Sequence, residues 1–204
     1  MSLYARLRVI SKAFSDDNRG SIPTEGVLAF TFLIWWYIAS FQFFDAFRQK
    51  NVNLKAAYTV ADLVSRQTQD LDPNYIDGLN TLFDYLTFSN KPTWIRVSVV
   101  EWDQPNNAYK IYWSYATGSH TIHDNNSINQ RSAQIPVMPV GDSVVLVETF
   151  MAYEPIFSMG LDARWFDTFI TTRPRFAAKV GFQGANQTAP TVHSDGTVDN
   201  SISG

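Results

Sequence analysis

With 204 residues, no cysteine and a formal net charge of −3, the chain has length for one modest domain and cannot form a disulfide or a thiolate metal site. The near balance of charge points away from nucleic acid and from a strongly acidic partner. Aromatic residues reach 15%, and many of them fall outside the first apolar stretch, which is enough to fill a core.

Residues 1–20 carry Arg6, Arg8, Lys12 and Arg19 against Asp16 and Asp17, with Leu3, Leu7, Ile10 and Phe14 at helical spacing. A short basic amphipathic helix on the inner leaflet fits this pattern, and so does a positively charged leader. The run 27–44 then holds 18 residues without a charge, interrupted only by Thr31, Ser40 and Gln42. As an α-helix it would reach about 27 Å, close to the ~30 Å hydrocarbon layer of a bilayer. Phe, Leu, Ile and Trp stand on all its faces, unlike an amphipathic helix lying on a core. A secretory h-region runs only ~7–15 residues and precedes a small-residue cleavage site, which does not follow here. Residues 21–47 are therefore expected to anchor the chain in a membrane.

Arg19-Gly20, four further residues, Glu25 and then the apolar run form a recognisable arrangement. It resembles the processing signature of type IV pilins and pseudopilins. The wider stretch RGSIPTEGVLAF, with the charged exit at Asp45–Arg48, is similar to the TadE/TadG-like proteins of tight-adherence (Tad) pilus systems. The resemblance covers residues 15–65. It implies that Gly20 is the last leader residue, cut by a prepilin peptidase, that Ser21 is the new N-terminus, and that Glu25 pairs with a neighbouring subunit. Pro23 and Gly26 depart from the family pattern, and a first-turn proline and a dipole-favoured acid are the bland accounts of Pro23 and Glu25. The resemblance further implies a single-pass protein of the bacterial inner membrane, its N-terminus cytoplasmic and its head periplasmic. The basic residues do not fix that orientation, since four before the run face three soon after it (Arg48, Lys50, Lys55).

Past the anchor the helical period continues, with Leu54, Ala57, Tyr58, Ala61 and Val64 on one face, so that a single helix of about 45 residues is allowed. Asp72 and Pro73 read as N-cap and first position of a second helix to about Phe88, with Ile76, Leu79, Leu82, Phe83 and Leu86 as its buried stripe. Alternation then marks strands at 94–103 and 109–117, joined as a hairpin through the turn residues 104–107. Tyr109, Ile111, Trp113 and Tyr115 are expected on one face. Residues 118–142 are loop-rich with a short helix near 128–134, and further strands follow at 143–153 and 166–173. The expected fold class is α+β: a long N-terminal transmembrane helix running into a pilin-like head, where a second helix packs on a three- or four-stranded antiparallel sheet. The domains are a segment 1–20, an anchor 21–47, a head 48–183 and a tail from 184, whose composition predicts disorder.

No phosphate cradle, nucleophile elbow or zincin pattern occurs. His120, His123 and Asp124 form the one local cluster with metal-binding residue types, although a solvated loop accounts for them. Glu101 and Glu148 could pair as catalytic acids if their strands are neighbours, although isolated acids on a solvent face are commoner. Arg173, Pro174, Arg175 and Phe176 bracket a strand end. The aromatic strip of Tyr109, Trp113 and Tyr115 lacks the basic stripe that base stacking requires. The expectation is a non-enzymatic pilus assembly component or minor pseudopilin without cofactor, working through other Tad or pilin-like subunits and the lipid bilayer. The rivals are a signal-anchored periplasmic enzyme and a ligand-binding module.

Overall fold

A computed structural model describes residues 11–13, 15, 21–157 and 160–183. Most of the expected leader, Gly20 and the tail from 184 lie outside the described residues.

Helix α1 runs unbroken over Ser21–Ser65, 45 residues long. No proline or glycine lies within it after Gly26, so nothing interrupts its hydrogen-bond ladder. Its two halves live in different surroundings. The first is apolar and bare, with only 6% of its most apolar window covered by the rest of the protein. The second buries Ala56, Ala57, Val60, Ala61 and Val64 against the sheet. That face is rotated from the expected one, for Leu54 and Tyr58 point outward. Two polar anchors set the rotation. Asn53 turns inward, donating to the Phe166 carbonyl at 3.1 Å and accepting from the Thr149 hydroxyl at 3.2 Å. Gln42 does the same further down, donating to the Tyr153 hydroxyl at 3.2 Å and accepting from the Phe157 amide at 3.3 Å. A buried amide without partners costs a few kcal/mol, so these bonds favour one rotation of the helix.

Helix α2 spans Pro73–Thr87 with Asp72 as its N-cap, whose carboxylate accepts the Tyr75 amide at 2.7 Å. It folds back along α1: Tyr75 meets Gln67 at the far end of α1, while Asp84 bonds Thr93 at the start of the sheet. Four strands follow, β1 (Thr93–Asp103), β2 (Ala108–Ala116), β3 (Ser143–Tyr153) and β4 (Arg164–Thr172). They form one antiparallel sheet in the order β2-β1-β3-β4. Ile95, Val97, Val99, Val145 and Val147 face the two helices and form the main core. Short helix α3 (Asn125–Gln130) and the chain to Met138 cover the opposite face over Val100, Val144 and Leu146.

The aromatic strip of β2 does not stay on one face. Val99 pairs with Trp113 and Val100 with Ile111, so Tyr112 is an extra residue and the ladder shifts register there. Trp113 and Tyr115 pack on the helix side, Tyr109 and Ile111 on the other. The segment after β4 returns to α1: the Arg175 amide bonds the Ser65 carbonyl at 2.8 Å, and Phe182 stacks on Trp113.

Candidate functional site

Behind the sheet, cross-strand partners of β1 and β3 stand in rungs: Trp94 with Phe150, Arg96 with Glu148, Ser98 with Leu146, Val100 with Val144. Glu148 is 1% exposed, and neither of its oxygens is idle. Oε2 accepts from Arg96 Nε at 2.5 Å and from His123 Nε2 at 2.7 Å, and Oε1 accepts from Arg131 Nη1 at 2.6 Å. Burial alone would raise this carboxyl. The hydrogen bonds from His123 and Arg96, with the Arg96 charge, outweigh that and hold it at about 2. An ionised carboxylate only accepts, so Nε2 of His123 carries a hydrogen. The second ring nitrogen faces the Ser127 hydroxyl at 3.0 Å, inside the capping box by which Asp124 starts α3. Arg96 also donates to the Thr121 carbonyl at 2.8 Å and lies over the rings of Trp94 and Phe150. Three residues of the covering segment, Thr121, His123 and Arg131, are thus tied to one point of the sheet.

The cluster corrects two expectations. Glu148 is not on a solvent face, and His123 at 4% exposed is not in a solvated loop. His120 stays exposed and stacks on Trp94, while Asp124 is spent on the helix cap, so the three do not converge. No group of three or more metal-ligating side chains occurs among the described residues. β1 and β3 are neighbours, yet Glu101 lies five positions from Arg96 on β1, on the other face from Glu148, and pairs with Lys179. Arg173 and Arg175 pair with Asp142 and Asp62. Arg96, His123 and Arg131 take three of the carboxylate's roughly four lone-pair sites. Chemically the arrangement is a clamp. The missed signal was in β3 itself: its near-continuous apolar run marks a strand covered on both faces, where a lone glutamate must be buried and paired.

No family model, curated protein or solved structure matches the chain.

The other functional candidate is the bare half of α1. Trp35, Trp36 and Tyr37 are successive residues set about 100° apart around the axis, and all three are more than half exposed. Phe30, Phe32, Phe41, Phe44 and Phe47 extend the apolar surface in both directions. It is one helix long and apolar enough to cross a membrane. Ser21 is its first residue, and Glu25 is exposed one turn in, without an ion pair among the described residues.

Proposed function

We propose that the protein is a non-enzymatic, single-pass component of a pilus-like assembly, similar to the TadE/TadG-like proteins of Tad systems or to a minor pseudopilin. One observation carries this reading: a single unbroken helix is apolar on every side for its first half and keyed into a head by its second. A bare apolar surface of that size is unstable in water and at home in hydrocarbon. Rigid continuity between the halves lets packing in the bilayer fix the position of the head. In this account α1 packs laterally against other pilin-like helices. Glu25, at the mouth of the span, supplies a charge that only the right neighbour neutralises, and so sets register. The N-terminus lies in the cytoplasm and the head in the periplasm of a bacterial inner membrane, with a prepilin peptidase acting between Gly20 and Ser21. The rival reading, a signal-anchored periplasmic enzyme built on the His120/His123 loop or on Glu101 and Glu148, has less support, because His123 and Glu148 are engaged in the clamp, His120 stacks on Trp94 and Glu101 pairs with Lys179 on the other face.

The test begins with membranes from cells that express the full chain. The protein should resist alkaline and high-salt washing and leave only with detergent, and the extracted mass should correspond to a chain starting at Ser21. Glu25→Ala should abolish co-purification with pilin-like subunits while leaving membrane retention intact. A chain that stays in solution without detergent, or an E25A protein that assembles like the wild type, overturns the proposal.

A further inference from the structure

A groove of about 200 Å³ opens where α1 leaves its bare half, lined by Phe43, Phe47 and Lys50 of α1 and by Tyr153, Arg164 and Phe166 of the sheet. Its volume is the share of roughly seven waters, small for a metabolite pocket but sufficient for a headgroup fragment. Its walls combine aromatic rings with two cationic side chains, Lys50 from the helix and Arg164 from the sheet. Lys50 and Arg164 are exposed, and neither meets a carboxylate among the described residues. Six residues separate Lys50 from Phe44, the last of the uncharged run, so Lys50 stands about 9 Å beyond it. The headgroup layer on each side of a bilayer is ~5–8 Å deep. Helical side chains tilt towards the N-terminus, which aims Lys50 back at that layer.

The same end of the head carries apolar groups with no covering. Ile156 and Phe157 are exposed in the β3–β4 connection, which the Gln42–Phe157 bond ties to the level of the span. Trp165 is half exposed at the start of β4. Phe88, 82% exposed beyond the end of α2, has a left-handed backbone with φ of 51°. That conformation closes α2, with the Ser89 amide bonded to the Asp84 carbonyl at 3.3 Å, and it leaves the Phe88 ring outside the core.

We infer that the groove is a binding site for an anionic phospholipid of the leaflet that the helix enters, its phosphate held between Lys50 and Arg164 and its chains lying along Phe43 and Phe47. The inference rests on the membrane-spanning reading of α1. Charge complementarity and continuity with the apolar surface of the helix both favour a lipid over a soluble anion. Asp45 lies close enough to reinforce the rise that burial imposes on the Tyr153 hydroxyl, and the exposed Asp162 follows the lining residue Leu161.

Native mass spectrometry of the full chain in detergent, with equal phosphatidylglycerol and phosphatidylcholine added, tests this. The wild type should retain one phosphatidylglycerol in preference to phosphatidylcholine. Each basic residue near an anionic surface strengthens binding about fivefold, so K50Q/R164Q should lose roughly twenty-five-fold in that preference. K50R/R164K, which keeps both charges, should retain most of it, and circular dichroism should show all three proteins equally folded. Equal retention of the two lipids by the wild type, unchanged preference in K50Q/R164Q, or a second copy of the chain held in place of lipid overturns the site while leaving the anchor standing. A chain that needs no detergent at all overturns both.

Discussion

Glu148 stays charged in a place that water does not reach, and its cations decide whether that stabilises or destabilises the head. Its folded-state value of about 2 lies below the ordinary 4.5. The stability it contributes is therefore whole above pH about 4.5 and drains away as pH falls towards 2, by roughly 3 kcal/mol at 1.36 kcal/mol per unit. Glu148→Gln keeps the shape and removes the charge, leaving Arg96 buried without its counter-ion. Denaturation of the detergent-solubilised chain, followed by tryptophan fluorescence, should show Glu148→Gln less stable by about 3 kcal/mol at pH 7. The two proteins should converge near pH 2. A difference that persists unchanged at low pH would mean that packing around the side chain, rather than its ionisation, holds the covering segment. At this scale the sequence is legible for caps, because Asp72-Pro73 acts locally and needs no knowledge of the fold. It is not legible for Arg96, His123 and Arg131, which come from a strand, a loop and a helix end and meet only when the sheet order is known.

Among the elements, β2 shows how one residue can redirect a face. Tyr109, Ile111, Trp113 and Tyr115 alternate without interruption in the sequence, and nothing in their spacing marks the extra residue at Tyr112. The bulge is imposed by the sheet, which must send Trp113 to the helices and Tyr109 to the covering segment. Deleting Tyr112 makes Ile111 and Trp113 consecutive, as their partners Val100 and Val99 are, so ordinary alternation keeps each pair on its present face. Trp113 then stays in the core and keeps the bond from its Nε1 to the Val180 carbonyl at 2.9 Å. Loss of more than about 3 kcal/mol is expected for Trp113→Ala, against under ~2 kcal/mol for deletion of Tyr112, whose ring is half exposed and meets chiefly the Lys179 amine. Urea midpoints of the two variants make the comparison, and equal midpoints would refute the register argument. For α1 the period revealed a buried face in the second half and misplaced it by one position. Apolar counting favours Leu54 and Tyr58, while close approach to the sheet favours Ala57, Ala61 and the hydrogen-bonded Asn53.

The whole molecule is divided along one helix, and its two solvents can be exchanged one at a time. Ile34 lies near the middle of the bare half, while the first residue of α1 bonded to the head, Gln42, comes eight positions or about 12 Å later. A change at Ile34 therefore leaves the bonds between α1 and the head in place. If hydrocarbon surrounds Ile34, an arginine there costs ~3–4 kcal/mol of insertion free energy, the sum of the lost apolar term and the charge penalty. Ile34→Arg should then lower the fraction of chain that resists alkaline extraction, and pairing it with Leu33→Arg should remove most of it. The near-ultraviolet circular dichroism of the head should not change in either protein. If water surrounds Ile34, the same substitutions replace exposed apolar groups with charged ones and should leave the protein more soluble. The two settings predict opposite signs in one fractionation experiment, because an exposed isoleucine is at home in lipid and a liability in water.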